Sequence, residues 1–138
     1  MNFNWIGVTA AFATFFSIWF GHVAVRKIEF MTVRLWIPVI AALGLGVTVE
    51  MAAMFSANKH LATAFGIIGI TLLWDGLEFW RQQKRVMKGH APANPDNRRH
   101  AEILARFPSA TTLDWLNRNP TGNLLSQQEL RKFEGGAS

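Results

Sequence analysis

The chain has 138 residues with a formal net charge of +5, and half of its residues are hydrophobic. It contains no cysteine, which excludes disulfide bonds, thiolate metal sites and cysteine nucleophiles. The charges are unevenly distributed, because residues 1–80 carry four Lys or Arg and four Asp or Glu, whereas residues 81–138 carry ten and five.

Three long apolar segments dominate the first part of the chain. Residues 5–25 contain no charged side chain, residues 35–57 contain only Glu50, and residues 61–80 contain only Asp75 and Glu78. As a helix, each segment is roughly 30 Å long, which matches the hydrocarbon thickness of a bilayer. A soluble bundle would need water-facing polar stripes, and residues 5–25 show none. The sequence therefore predicts an all-α protein with three transmembrane helices over residues 1–88 and a short helical tail over residues 89–138.

Basic residues beside the apolar segments indicate the topology. Several follow the first segment, which reverses the charge order of a cleaved signal peptide, so we expect that helix to be retained. Positive residues near membrane ends favour the cytoplasm, and SANKH between segments two and three is the less basic side. We expect the N-terminus outside and the C-terminus in the cytoplasm of a bacterial inner membrane. The residues expected to meet lipid headgroups are Arg26, Lys27, Arg34, Arg81, Lys84, Arg85 and Lys88.

The tail contains several short helical patterns. The third transmembrane helix is expected to continue to Lys88 and to end at Gly89, because glycine suits a helix C-terminus and the prolines of APANP resist continuation. NRRHAEILARF predicts a short helix ending at Pro108, SATTLDWLN is a second candidate, and SQQELRKFEGG contains a capping box of Ser126 and Glu129. Since such short helices are marginal alone, we expect them to pack on the basic end of helix three or on a partner.

Small residues recur at helical spacing in all three segments. In lipid, close packing through small residues supplies much of the association between helices. Three helices offer few neighbours for all of these faces, so we expect some faces to meet another protein chain. The predicted packing positions are Gly7, Ala10, Thr14, Ser17 and Gly21 in the first helix, Ala42 and Gly46 in the second, and Ala62, Gly66, Gly69 and Gly76 in the third.

Ionisable residues inside the apolar segments are the candidate functional groups. In the expected topology, His22, Asp75 and Glu78 lie near the cytoplasmic end, where ion pairs with basic neighbours would explain the acids without any function. The alternative is a site, since an imidazole and two carboxylates can relay a proton, bind a cation or hydrogen-bond a quinone headgroup. Glu50 lies deeper, has no basic partner within its own span, and is the least explained of the four.

No motif predicts a metal or cofactor. His22 is a candidate ligand for a haem or another pigment, but a bis-histidine haem needs a second intramembrane histidine. His60 lies at the opposite membrane end, and His90 and His100 lie in the tail. Quinone, haem or pigment binding therefore stays an alternative rather than the main expectation.

The segment WDGLEFWRQQKRVMKGHAPANP, at residues 74–95, resembles the end of a family of small bacterial membrane proteins known as domain of unknown function 4491. The resemblance covers roughly residues 1–95, and His90 stands where this family tends to have an aromatic residue. It implies a topology and no chemistry. The matching positions are Glu78, Gln83, Lys84, Arg85, Val86, Lys88, Gly89, Pro92, Asn94 and Pro95, with His22, Lys27 and Glu29 at the end of helix one.

Two functions compete. The first is a non-enzymatic accessory or scaffold subunit that packs with other membrane proteins, or with itself, through its small-residue faces and its tail. The sequence favours it because no nucleophile, nucleotide or metal motif is recognisable. The second is a redox or ion-handling subunit in which His22, Asp75 and Glu78 contact a quinone, a pigment or protons. Nucleic-acid binding is not expected, because the positive residues lie beside the membrane, where anionic lipids are the natural partners.

Overall fold

The structure is a computed structural model that describes residues 3–116. Over that range the chain forms four helices, α1 (Trp5–Met31), α2 (Trp36–Phe55), α3 (Lys59–Met87) and α4 (Arg98–Arg106), and no strand. The first three are long and apolar enough to cross a membrane, which confirms the predicted all-α fold with three transmembrane helices. The helix expected around Ser126 and Glu129 lies outside the described residues.

Asparagine side chains and short connections define the spans. Asn4, Asn58 and Asn97 begin α1, α3 and α4, and each side chain accepts a hydrogen bond from a backbone N–H in the first turn. These caps satisfy donors that have no partner within the helix. Short loops at residues 32–35 and 56–58 join the three spans. α3 is the central helix, because both α1 and α2 pack against it.

The buried core of the bundle is small and lies at one end, which carries Arg26 and Arg85 and is called the basic end. Val25 of α1, Ala42 of α2 and Phe79 of α3 form one buried cluster there. Most other large apolar side chains of the spans are exposed on the outer surfaces of the helices. A bilayer accommodates that exposure, since lipid tails are as apolar as these side chains.

Gly89 ends α3 in a Schellman motif, at the position where the sequence predicts the helix to stop. Its φ is +73°, its N–H donates to the Val86 carbonyl at 3.1 Å, and the next N–H donates to the Arg85 carbonyl at 2.9 Å. A Cβ at this position would lie 2.1 Å from the carbonyl oxygen of Ser109. Glycine therefore permits both the left-handed backbone and the close approach of the tail.

Beyond Gly89 the tail folds back on the end of α3. Ile103 of α4 is buried together with Val86 of α3 and with Ala91 and Ala93 of the connecting segment. This cluster buries the apolar face of α4, a helix of only nine residues that is too short to be stable alone. The short helix predicted to end at Pro108 is thereby confirmed, with its last residue at Arg106.

The second helix predicted in the tail, SATTLDWLN, is wrong over its described residues, 109–116, which form turns and irregular backbone. The physical reason is that its polar groups bond to other parts of the tail and to α3. The Thr111 carbonyl accepts from the Ala93 N–H at 2.8 Å, and the Ser109 hydroxyl donates to the Met87 carbonyl at 2.6 Å. These tertiary hydrogen bonds replace the local ones that a helix would make.

Candidate functional site

A buried charged cluster joins the tail to the end of α1. Glu29 of α1 is 1% exposed, and His100 of α4 is completely buried. Glu29 Oε1 lies 2.9 Å from Arg99 Nη1 and 3.0 Å from His100 Nε2. Glu29, Arg99 and His100 are called the clasp. Because a buried carboxylate is costly unless it is paired and hydrogen-bonded, both partners are needed to hold Glu29 in this position.

The hydrogen bonds of the clasp also define the state of the imidazole. The backbone N–H of Asn94 donates to His100 Nδ1 at 2.9 Å, so that ring nitrogen carries no proton in this arrangement. The other ring nitrogen, Nε2, lies 3.0 Å from Glu29 Oε1 and 2.9 Å from Arg99 Nη2. His100 therefore connects the tail backbone to α1, and Arg99 supplies the positive charge that pairs with the carboxylate.

Tail side chains also cap the C-terminal end of α1. Asn97 Nδ2 donates to the carbonyls of Phe30 and Thr32, each at 3.1 Å. Arg99 Nε donates to the Thr32 carbonyl at 3.1 Å, and its Nη2 donates to the Glu29 carbonyl at 2.6 Å. The last carbonyls of a helix lack partners within it, so the tail supplies the donors that this helix end requires.

Sequence reasoning missed the clasp. It placed Arg99 and His100 in a tail helix with no assigned partner, and it named Glu29 only through the family resemblance. One local signal was present: Glu29 is the single acid in the basic segment RKIEFMTVR, where Arg26 and Lys27 precede it and Arg34 follows it. The partners could not be identified from that signal, since they lie 70 and 71 residues further along the chain.

The structure brings His22 and Asp75 together at membrane depth. Both residues line a cavity of about 430 Å³ between α1 and α3, with Trp74 and the apolar side chains of Ile18 and Ile70. His22 is exposed, whereas Asp75 is 8% exposed. Within residues 3–116 the Asp75 carboxyl group has no hydrogen bond and no ion pair. An imidazole and an unpaired carboxyl group therefore face the same apolar cavity.

Glu78 is placed differently from Asp75, although the two lie three residues apart. Its carboxylate forms an ion pair with Arg81 at 3.6 Å and a hydrogen-bonded ion pair with Arg85. Arg85 also donates to Gln82 Oε1 at 2.7 Å. Structural ion pairing thus accounts for Glu78, as the simpler sequence interpretation expects, and the interpretation does not extend to Asp75.

Glu50 lies apart from the other intramembrane acids. Its side chain is half-buried between α2 and α3, and its Oε1 lies 2.8 Å from the point that a Cβ on Gly69 would occupy. Gly69 precedes Asp75 by six residues, which is about 9 Å along α3. Glu50 therefore belongs to the α2–α3 contact and does not line the cavity of His22 and Asp75.

The four histidines do not converge on one site. His60 Nδ1 lies 2.9 Å from Thr9 Oγ1 at the end opposite the basic end, His90 is exposed, and His100 is in the clasp. In the part of the chain that the structure describes, no group of three His, Asp or Glu side chains could hold a metal ion. His22 is the histidine that would hold a haem or pigment in the Asp75 cavity.

Most of the predicted packing glycines lie at contacts within this one chain. A Cβ on Gly21 would lie 2.6 Å from Asp75 Oδ2, and the corresponding contacts of Gly46 and Gly76 are Leu73 and Leu43 at 2.8 and 2.9 Å. These glycines allow α1 and α2 to approach α3 closely. In addition, Ala42 is in the buried cluster, and Ser17 Oγ lies 3.3 Å from Thr71 Oγ1.

The other predicted packing positions have fewer contacts. A Cβ on Gly66 would meet nothing within 4 Å, and one on Gly7 would meet only its own capping residue, Asn4. Ala10 and Ala62 are half-buried, and Thr14 is exposed.

All seven residues expected to contact lipid headgroups are exposed.

A family model described as "Domain of unknown function (DUF4491)" matches residues 4–97. No curated protein and no solved structure matches. The matched residues include all three transmembrane helices, Glu29 and both residues of the His22 and Asp75 pair, but they end before Arg99 and His100.

Proposed function

The chain belongs to the DUF4491 family, whose model matches residues 4–97, and because that family has no assigned activity we propose a function from the residues themselves. We propose that it is an integral protein of the bacterial cytoplasmic membrane that binds a lipid-soluble molecule of the quinone type between α1 and α3. Its basic end faces the cytoplasm in this proposal, which is supported by the exposed Arg and Lys residues beside α1 and α3.

The observation that carries the proposal is the convergence of His22 and Asp75 on one apolar cavity. A carboxyl group in hydrocarbon is costly when it has no partner, and such groups inside a membrane mark functional sites by default. The other acids at the basic end of the bundle are satisfied, since Glu29 is held in the clasp and Glu78 is paired with arginines. Asp75 is the acid whose hydrogen-bonding capacity is left for a bound molecule.

A quinone fits the chemistry and the shape of this cavity. Its ring is flat and apolar, and its two carbonyl oxygens, at opposite edges, accept hydrogen bonds. In the reduced quinol these oxygens are hydroxyl groups, which also donate hydrogen bonds. The imidazole of His22 can donate to a carbonyl, the Asp75 carboxyl group can accept from a hydroxyl, and the indole of Trp74 offers an aromatic face. Ile18 and Ile70 continue the cavity with apolar surface on which a hydrocarbon tail can lie.

Replacing Asp75 with asparagine should weaken binding of a short-tailed ubiquinol analogue by about tenfold or more, because a hydrogen bond to a charged group contributes roughly 1.5–3 kcal/mol. His22→Ala should weaken binding by a similar factor. The measurement is quenching of tryptophan fluorescence as the analogue is titrated into the purified protein in neutral detergent, and Trp74→Phe identifies the quenched side chain.

His60→Ala is the matched control, since His60 also lies at a membrane end but is bonded to Thr9 on the opposite side of the bundle. The control should bind the analogue as the wild type does. Equal affinity in the wild type, Asp75→Asn and His22→Ala proteins would show that the molecule dissolves in the detergent rather than occupying this cavity.

An accessory subunit is the second candidate function. The specific observation is a pair of neighbouring apolar cavities on one side of the bundle. One of about 310 Å³ is lined by α1, α2 and α3, and one of about 620 Å³ is lined by α1 and α3. A transmembrane helix of another protein, or of a second copy, could fill that side, and Gly66 leaves room for close approach. A lone monomer after purification in mild detergent would count against this candidate.

A further inference from the structure

A second cavity lies at the basic end, between the end of α1 and the folded tail. Its volume is about 420 Å³, and its lining includes Arg26, Lys27 and Phe30 of α1, Gln82 of α3 and Pro92 of the tail. That volume is within the range of ligand pockets, roughly 300–1,000 Å³. The cavity is separate from the one that His22 and Asp75 line, so its function does not depend on that proposal.

The charges at this cavity favour an anion. Arg26 and Lys27 make no hydrogen bond or ion pair with any residue in the described range, and both side chains are exposed. Glu29 also lines the cavity, but its carboxylate is already bound by Arg99 and His100. Asp114 contributes one further acid at the tail side, so the two cations of α1 outweigh it.

Gln82 adds a neutral donor beside the two cations. Its side chain is 4% exposed, and its Oε1 accepts from Arg85 Nη1 at 2.7 Å. That bond assigns the oxygen of the amide, so the amide nitrogen remains as a donor. A guanidinium, an ammonium and an amide N–H together match the oxygens of a phosphate group, which accept several hydrogen bonds at once.

The position of the cavity indicates where the phosphate comes from. Arg26 is the first charged residue after the uncharged residues 5–25, so it stands where α1 leaves the hydrocarbon and reaches the headgroup layer. Val23, one turn before Arg26, lines the same cavity and extends it towards the apolar layer. A phospholipid of that leaflet can therefore place its phosphate here while its acyl chains stay in the bilayer.

The tail gives this site a fixed wall. Pro92 lies between Ala91 and Ala93, which are 6% and 2% exposed, and the Ala93 N–H is bonded to the Thr111 carbonyl. The clasp holds the following residues against α1. In contrast, the basic residues Lys84 and Arg34 are exposed side chains that line none of these cavities. From these observations we propose that Arg26, Lys27 and Gln82 form a specific binding site for the phosphate of an anionic phospholipid.

The test is titration of the full-length protein in neutral detergent, with binding measured by native mass spectrometry. The probes are phosphatidylglycerol, phosphatidylcholine and inorganic phosphate. The wild type should bind phosphatidylglycerol most tightly, and the double variant Arg26→Gln with Lys27→Gln should bind it about 30-fold more weakly, at about fivefold for each lost cation. Lys27→Gln alone should weaken phosphatidylglycerol binding about fivefold. Because Lys27 is exposed, this single variant should fold normally, so it tests the site even if the double variant misfolds.

The matched control is Arg34→Gln with Lys84→Gln, which removes the same charge from exposed positions outside the cavity. It should lower the affinity less than twofold once salt screens the general attraction. An equal loss in both double variants would overturn the specific site and leave a nonspecific basic surface. Binding of inorganic phosphate with the affinity of phosphatidylglycerol would overturn the assignment to a lipid.

Discussion

Replacing Glu29 with alanine should release the tail from the transmembrane helices. The change leaves the Arg99 guanidinium and the His100 ring buried without the carboxylate that both contact at 2.9–3.0 Å. Removing one partner of a buried charge pair typically costs about 3–5 kcal/mol. The tail should open more often as one cooperative unit, so amide hydrogen exchange in residues 93–110 should accelerate at least about a hundredfold.

Two further variants separate charge from shape in this experiment. Glu29→Gln keeps the size of the side chain and one acceptor oxygen, so its effect should be intermediate. Glu102→Ala removes an acid of α4 whose contact with Arg98 is exposed and 3.6 Å long, and it should change exchange less than about twofold. If Glu29→Ala and Glu102→Ala behaved alike, the clasp would not be what holds the tail on α1.

Replacing Gly46 with alanine should destabilise the contact between α2 and α3. The new Cβ would lie 2.8 Å from Leu73 Cδ2 and 3.0 Å from the Leu73 backbone nitrogen. A leucine side chain can rotate away, but the backbone cannot, so the helices must separate or bend. Overpacking of this kind costs about 1–3 kcal/mol. Unfolding in mixed micelles of dodecyl maltoside and SDS, followed by circular dichroism, measures the loss.

Gly44 provides a control two residues away on the same helix. A Cβ there would meet nothing within 4 Å, so Gly44→Ala should leave the free energy of unfolding unchanged or raise it slightly through helix propensity. An equal loss for both substitutions would mean that helix propensity or lipid packing, rather than the contact with Leu73, determines the effect.

The elements of this fold were predictable because their signals are local. Long uncharged segments predict the spans, and Gly89 followed by prolines predicts the end of α3. The contacts between elements were not predictable in the same way. The small-residue pattern identified Gly21 and Gly46 as packing positions. No spacing rule shows that Asp75 packs against Gly21 or that Leu73 packs against Gly46.

The candidate site was likewise predictable in part: the membrane layer of its residues was predicted from the sequence, but their individual contacts were not. Depth in the membrane indicated that His22, Asp75 and Glu78 lie in one layer, and two of them, His22 and Asp75, line one cavity. Glu78 is paired with Arg85, which lies seven residues further along α3, whereas Asp75 has no hydrogen bond. This difference depends on the positions of individual side chains within α3 and between α3 and α1. Periodicity cannot resolve such positions, because both acids occupy nearly the same face.

The most direct test of the proposed function is purification of the protein from its native membrane in a mild detergent, followed by extraction and analysis of the bound lipids. The proposal predicts a quinone-type molecule that is retained by the wild type and by His60→Ala but lost from Asp75→Asn. Phospholipid retained through Arg26 and Lys27 should be the same in all three proteins. A wild-type protein that retains phospholipid but no quinone-type molecule would contradict the proposal.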